Sequence, residues 1–164
     1  MTQISGGRIS NPFSVKTNPQ YMNAVDVVRS NFDSWNRHDA DAVVAAFVEG
    51  GLYITPSLPE PVTGAALGDF VRAVFVWSSD FSLDLISIGD TGKRVALEWL
   101  AHGTNDGPAV DGTPATGKQY NLPGVSIVQV EDDKIRTERV YFDLLGLQYQ
   151  LGLMEQKTPV AETK

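Results

Sequence analysis

The hydrophobic pattern of the chain changes its period near residue 80. Before that point apolar residues recur at intervals of three and four, which is typical of amphipathic helices. A polar residue or a proline precedes the apolar stripes, where helix caps are expected. Three helices are predicted: one opening at Asn18-Pro19 with the stripe Tyr21, Val25, Val28, Phe32 and Trp35, one capped by Asp39 and ended by Gly50-Gly51, and one capped by Thr63 and ending near Trp77.

Beyond residue 80 apolar and polar residues alternate, which is the period of half-buried strands. A short strand, Leu52–Thr55, is also predicted ahead of the third helix. Turn signals at Gly89–Gly92 and Asp132-Asp133 separate neighbouring strands. A run of helices followed by a run of strands indicates an α+β protein with an antiparallel sheet. The later strands are predicted over Phe81–Ile88, Val95–Thr104, Val125–Val130 and Ile135–Phe142.

A long connection separates two of these strands, between Thr104 and Gln119, and it is rich in Gly, Pro, Thr and Asp. Hairpin loops usually take about two to five residues, so a longer connection is more often functional than incidental. We expect this connection to form a lip over the mouth of a pocket.

The 164 residues suffice for one ordinary domain with its own core. We assign this domain to residues 19–155, with polar tails over residues 1–18 and 156–164. Because the sequence shows neither a membrane-length apolar run nor the apolar region of a secretory signal, we expect a cytoplasmic protein that does not bind membranes. Helices on one face of the sheet leave the other face uncovered, which predicts a homodimer.

The composition excludes several kinds of chemistry. The absence of cysteine excludes disulfides, thiol nucleophiles and thiolate metal sites. His38 and His102 are the only histidines, so a three-histidine metal centre is impossible. A net charge of -7 and scattered basic residues argue against nucleic-acid binding. We therefore expect neither a thiolate nor a three-histidine metal site.

Two partial motifs do not meet the requirements of the sites that they suggest. Gly112–Lys118 is close to a phosphate-binding loop, but Gln119 stands where Ser or Thr is required, and the segment joins two strands. Glu98 and His102 share one face of a strand, but they are about 13 Å apart at ~3.3 Å per residue, which is too far to chelate one ion.

The last predicted strand carries the most informative polar residues. Thr137, Arg139, Tyr141 and Asp143 share one face of it, whereas the opposite face becomes apolar towards its end. A carboxylate beside the core needs a partner, water or a lined cavity. Asp143 is therefore the candidate acid/base group of a pocket. In the alternative interpretation Asp143 pairs with Arg139 or caps the turn that follows it.

The order of several short segments resembles that of SnoaL-like polyketide cyclases, which belong to the nuclear-transport-factor-two-like superfamily. The resemblance covers about residues 20–154, and no single motif carries it alone. The segments are Phe32–Asp39, Pro114–Lys118, Asp132–Ile135, Arg139-x-Tyr141-x-Asp143 and Gln150–Gly152.

This resemblance implies a cone-shaped α+β barrel, in which a strongly bent antiparallel sheet and three N-terminal helices enclose a pocket, usually in a dimer. It also implies that an Asp at the end of the last long strand acts as acid/base in an intramolecular aldol closure without metal or cofactor. That residue falls on Asp143. The positions where some of these cyclases carry a histidine look like Gln129 and Asn105 in this chain.

We therefore predict an enzyme that performs acid/base chemistry, by aldol-type cyclisation or isomerisation, on a small hydrophobic carbonyl compound. The alternatives are a non-catalytic binding module of the same fold and, ranked lower, epoxide hydrolysis. Tyr53, Trp77 and Trp99 are candidate pocket walls, although core packing would explain them as well. Residues expected to contact the substrate are Tyr53, Trp77, Trp99, His102, Gln129, Arg139 and Tyr141.

Overall fold

The computed structural model describes residues 23–92 and 94–154. The predicted opening of the first helix at Asn18-Pro19 and both predicted tails lie outside these residues. Within them the predicted elements occur in the predicted order, but several details differ.

The described part of the chain forms four helices: α1 (Ala24–Asn36), α2 (Ala40–Ala45), α3 (Gly64–Trp77) and α4 (Leu144–Leu151). The first two begin at residues whose side chains cap the free backbone amides of the first turn. Asn23 accepts a hydrogen bond from the Asp26 amide at 2.9 Å, and Asp39 accepts one from the Ala42 amide at 2.9 Å. The predicted cap at Asp39 is therefore confirmed.

The five strands are β1 (Phe47–Ile54), β2 (Ser82–Asp90), β3 (Val95–Thr104), β4 (Gln119–Glu131) and β5 (Lys134–Phe142). They form one sheet in the order β1-β5-β4-β3-β2. The pairs among β2, β3, β4 and β5 are antiparallel, as predicted, but β1 lies parallel to β5. The sheet is therefore mixed. Its edge strands β1 and β2 do not pair with each other, so the curved sheet is not a closed barrel.

Gly50-Gly51 does not end the second helix, as the sequence predicted, but lies within β1. The register of β1 against β5 shifts between Phe47 and Leu52, so the two glycines form a bulge. A Cβ on Gly51 would lie 2.8 Å from the carbonyl oxygen of Ile135, and Gly50 has a φ of 69°. Glycine is required here for close backbone approach in a strand, which the sequence does not distinguish from helix termination.

The fourth helix was not predicted. It follows β5 directly, with Asp143 as its N-cap: a carboxylate oxygen of Asp143 accepts a hydrogen bond from the Gly146 amide at 2.8 Å. The helix ends at Gly152, which has a φ of 70°. The capping alternative for Asp143 is thus what the structure shows.

The hydrophobic core fills the space between the helices and the concave face of the sheet. Alternate residues of β3, including Val95, Leu97 and Trp99, are buried against α1 residues such as Val28 and Phe32. No helix within residues 23–92 and 94–154 is both long enough and apolar enough to cross a membrane.

The connection from β3 to β4 is held by one buried side chain. Asn105 is 2% exposed, and its amide nitrogen donates to the carbonyl oxygens of Trp77 and Gly107 at 3.2 and 3.0 Å. Its side-chain oxygen accepts from the amide of Thr116 at 2.8 Å. Residues of this connection, Ala109 and Pro114 among them, line a cavity, so the connection lies where the predicted lip was expected.

We predict that Asn105→Asp destabilises the fold by about 3 kcal/mol, because a carboxylate cannot donate to the two carbonyl groups and would face them unpaired. Urea unfolding followed by circular dichroism measures this change. The exposed Asn121 offers a matched control, and Asn121→Asp should change the free energy of unfolding by less than about 0.5 kcal/mol. Equal effects of the two substitutions would contradict the anchoring role of Asn105.

Candidate functional site

A cavity of about 700 Å³ lies between the helices and the concave face of the sheet. Its walls are mainly aromatic and aliphatic, and none of the Lys, Arg and His side chains that the structure describes lines it. A cavity of this size and character suits a small, largely apolar molecule. Representative wall residues from α1, α3, β3, β5 and α4 are Phe32, Trp35, Trp77, Trp99, Val140 and Leu147.

One carboxyl group is buried in this apolar cavity. Glu138 of β5 is 8% exposed and is the one buried acidic residue in the described part of the chain. Burial raises the pKa of Glu138 to about 7, although a hydrogen bond from the Ser126 hydroxyl opposes the rise. Desolvation disfavours the charged form of a carboxyl, so this group exchanges a proton near neutral pH.

Two further side chains orient the carboxyl through a chain of hydrogen bonds. The indole nitrogen of Trp99 donates to the Ser126 hydroxyl oxygen at 3.1 Å, within the buried face of β3 and β4. Because an indole can only donate, it occupies an acceptor site of Ser126 and leaves the serine proton free for the Glu138 carboxyl. Gly124 permits this arrangement, since a Cβ there would lie 2.2 Å from the Trp99 ring.

Asn31 approaches the carboxyl from α1. Its amide nitrogen lies 3.5 Å from an oxygen of Glu138, so the hydrogen bond is long. Asn31 is 5% exposed and lines the cavity. Its amide oxygen is buried and has no hydrogen-bond partner among residues 23–92 and 94–154.

Tyr53 stands beside the carboxyl on the neighbouring strand. In the parallel pairing of β1 and β5, Tyr53 and Glu138 are direct partners, and both line the cavity. Burial, followed by the charge of Glu138, raises the pKa of Tyr53 well above its usual range. The phenol therefore keeps its proton at neutral pH and can donate a hydrogen bond.

The structure separates the predicted site residues into two groups. Tyr53, Trp77 and Trp99 line the cavity, whereas the other five do not. His102 lies on the outer face of β3, where its ring nitrogen is 3.3 Å from Asp84 and 3.4 Å from the Ser82 hydroxyl. The residues placed at the protein surface are Gln129, Arg139, Tyr141 and Asp143.

The placement of Arg139, Tyr141 and Asp143 in the pocket is therefore wrong, and the reason is the pleat of β5. Side chains alternate between faces, and the face that turns inward is the one carrying Glu138, Val140 and Phe142. The polar face of β5 is the outer one. The sequence signal that was missed is Glu138 itself, the carboxyl that precedes apolar residues on the same face.

Asn31 was also missed. It lies on the buried face of α1 that carries Val27, Val28, Phe32 and Trp35. A polar amide inside an apolar helical stripe is a signal of a lined cavity or of a buried polar network, because burying it without partners is costly.

Sheet, helices and cavity together define a class of cone-shaped α+β proteins whose helices close over the concave face of one curved sheet. The chain belongs to the SnoaL-like polyketide cyclase family, whose model matches residues 25–151.

Two cyclases are similar to it in sequence. The aklanonic acid methyl ester cyclase DnrD of Streptomyces peucetius is 30% identical over 134 residues, which cover 78% of this chain and 90% of the cyclase. The cyclase DauD of Streptomyces sp. (strain C5), which carries the same activity in its name, is 29% identical over 133 residues, covering 78% of this chain and 81% of that protein. The predicted family resemblance is confirmed.

Solved structures show the same fold. TsrD from Streptomyces laurentii matches with a TM-score of 0.68 at 23% identity, covering 79% of this chain and 95% of that one. A protein with a ketosteroid isomerase-like fold from Catenulispora acidiphila matches with a TM-score of 0.68 at 16% identity, covering 82% and 98%. At these identities the likeness concerns the fold alone.

We predict that Glu138 makes a contribution to stability that is lost as the pH rises from about 4 to 8. An unfolded glutamate ionises near pH 4.3, whereas folded Glu138 holds its proton up to about pH 7, so ionisation favours the unfolded state within this window. The loss amounts to roughly 3 kcal/mol. Glu138→Gln should remove that part of the pH dependence, measured by urea unfolding at pH 4, 6 and 8. Parallel pH curves for the two proteins would contradict the raised pKa.

Proposed function

We propose that this protein is an acid/base enzyme that performs an aldol-type cyclisation or an isomerisation of a small hydrophobic carbonyl compound, with Glu138 as the group that moves the proton. The observation that carries the proposal is a buried carboxyl, with a pKa of about 7, that lines a mainly apolar cavity. General acid/base catalysts work best when their pKa lies near the working pH.

The proposed reaction begins with ionised Glu138, which takes a proton from a carbon next to the carbonyl group of the bound compound. The electrons of the broken C–H bond move to the carbonyl oxygen and form an enolate, to which the Tyr53 phenol donates a hydrogen bond. In a cyclisation the enolate carbon then attacks a second carbonyl of the same molecule. The new alkoxide receives the proton from Glu138, so the carboxylate is regenerated.

In an isomerisation the bound compound is a β,γ-unsaturated ketone, so the enolate is conjugated with the carbon–carbon double bond. Glu138 then returns the proton at the γ carbon, and the carboxylate is again regenerated. The names of the two Streptomyces relatives support cyclisation for this chain, while the cavity chemistry suits both outcomes. Fixed dipoles of the site, such as the Tyr53 hydroxyl, would stabilise the charged enolate.

A simple ketone can test this proton transfer before the natural substrate is known. We predict that the protein accelerates deuterium incorporation into C1 of 2-tetralone in heavy water, followed by proton NMR. Glu138→Gln should slow this exchange at least about 100-fold, because removing a positioned base costs that much or more. The rate should rise with pH and level off above about pH 7, as the pKa of Glu138 requires.

Asp143→Asn provides the matched control, because asparagine also caps helices well and the exposed residue does not line the cavity. This variant should exchange deuterium at the rate of the unmodified chain. If Glu138→Gln exchanges normally, the protein is better explained as a binding module. If only Asp143→Asn loses exchange, the carboxyl at the end of the strand is the base instead.

We also propose that the protein is a homodimer joined through the outer face of the sheet. That face carries exposed apolar side chains, including Val125 at 38% and Tyr141 at 57% exposure, and no described helix covers it. A second copy of the chain would bury these residues.

Light scattering after size exclusion should give twice the 17.8 kDa of one chain. Val125→Lys should shift the mass towards the monomer, because it places a charge in the proposed contact. Val110→Lys is the control, since Val110 is 88% exposed in the β3–β4 connection, away from the sheet. A monomeric mass for the unmodified chain would refute the dimer.

A further inference from the structure

Among residues 23–92 and 94–154, the buried amide oxygen of Asn31 has no hydrogen-bond partner. It is buried on α1, beside Glu138, and its residue lines the cavity. Buried polar atoms in folded proteins are nearly always hydrogen-bonded, and one left unsatisfied costs about 1–3 kcal/mol. An unpaired acceptor that is kept at this cost beside the reactive carboxyl calls for a partner from within the cavity.

Rotating the amide does not supply a partner from the protein while Glu138 is ionised. The rotation would place the Asn31 oxygen against a carboxylate oxygen, and neither atom has a proton to share. When Glu138 is ionised, as the base must be, the amide nitrogen therefore points at the carboxylate. The oxygen is then left as the acceptor. The Asn31 oxygen is thus a free acceptor when Glu138 is ionised, which is the state in which the proposed reaction begins.

The neighbours of this oxygen describe what a ligand must bring. Tyr53 offers a proton donor on the β1 side of Glu138, and Asn31 offers an acceptor on the α1 side. Elsewhere the walls are mainly apolar, so few other polar groups are available to pair with a ligand. A molecule with a carbonyl alone would satisfy the tyrosine and leave the asparagine unpaired.

We propose that the Asn31 amide oxygen accepts a hydrogen bond from a hydroxyl group of the ligand, so that the site selects hydroxylated carbonyl compounds over those in which that hydroxyl is missing or alkylated. This inference rests on the proposed function for the carbonyl part of the ligand. Recognition of the hydroxyl group itself depends only on the cavity and on Asn31. A site built to pair a substrate hydroxyl discriminates strongly against the analogue that lacks it, because the buried group of the protein is then left unpaired.

Two probes with the same ring system test the inference: 2-naphthol, which carries a hydroxyl donor, and 2-methoxynaphthalene, in which that donor is methylated. Isothermal titration calorimetry should show that the unmodified chain binds 2-naphthol about tenfold more tightly. In Asn31→Leu the preference should disappear through weaker binding of 2-naphthol, while the affinity for 2-methoxynaphthalene stays the same or improves. Leucine has a similar shape and no acceptor.

Ser34→Ala on the same helix is the control. Ser34 is buried and its hydroxyl donates to the Ser30 carbonyl at 3.0 Å, but it does not line the cavity, so this variant should keep the preference. Asn31→Ala also lacks the acceptor and replaces the leucine variant if that one does not fold. Equal or absent binding of the two probes to the unmodified chain would overturn the inference, as would a preference that survives in both Asn31 variants.

Glu138→Leu separates this inference from the proposed function. It should slow deuterium exchange into 2-tetralone at least about 100-fold but keep the preference for 2-naphthol, because leucine has no proton to donate to the Asn31 oxygen. If the preference is instead lost in Glu138→Leu and kept in Asn31→Leu, the hydroxyl binds the carboxyl and the assignment to Asn31 is wrong. If Glu138→Leu exchanges normally while Asn31→Leu loses the preference, acid/base catalysis fails and hydroxyl recognition stands.

Discussion

Burial of a single carboxyl without a cationic partner is the constraint on which the rest of the site depends. Of the described residues that line the cavity, none is basic, so Glu138 is held only by dipoles: the Ser126 hydroxyl, which Trp99 orients, and the Asn31 amide. A salt bridge would have fixed the carboxyl as a permanent anion and lowered its pKa. Dipoles leave it able to gain and lose a proton, which is what proton transfer to and from a bound molecule demands.

Much of the fold could be predicted because local periodicity and tertiary burial agree in most elements. β3 occupies the predicted residues, Val95–Thr104, since its alternation is strict. β4 begins at Gln119, six residues before the predicted start at Val125, and it contains Pro123, a residue that central strands normally exclude. There β5 has already ended, and the Gln150 side chain pairs with the Asn121 backbone instead, so a proline costs no ladder bond. These tertiary contacts make the proline acceptable in the strand, and no local sequence pattern predicts them.

The site was harder to predict than the fold, since its residues are defined by the direction in which each face points. Polar residues at the end of the last strand suggested a pocket, but a polar face is equally the mark of a surface, and Arg139 and Tyr141 lie there. Tyr53, Trp77 and Trp99 do line the cavity. Large aromatic side chains are typical of pocket walls, so their residue type alone indicated this position. Asn31 and Glu138 have meaning only once α1 and β5 are known to face each other.

The parallel pairing of β1 with β5 has a consequence for how the protein acquires its chemistry. Tyr53 and Glu138 are neighbours in space but come from the first and last strands of the sheet, with every other strand between them in the sequence. Contacts of such long sequence separation form late, because the loop that they close is long. During synthesis β5 is also the last strand to be made. A chain whose synthesis is incomplete therefore has the earlier cavity-lining elements but lacks Glu138, its proton-transfer group. The protein can carry out its chemistry only when the sheet is complete.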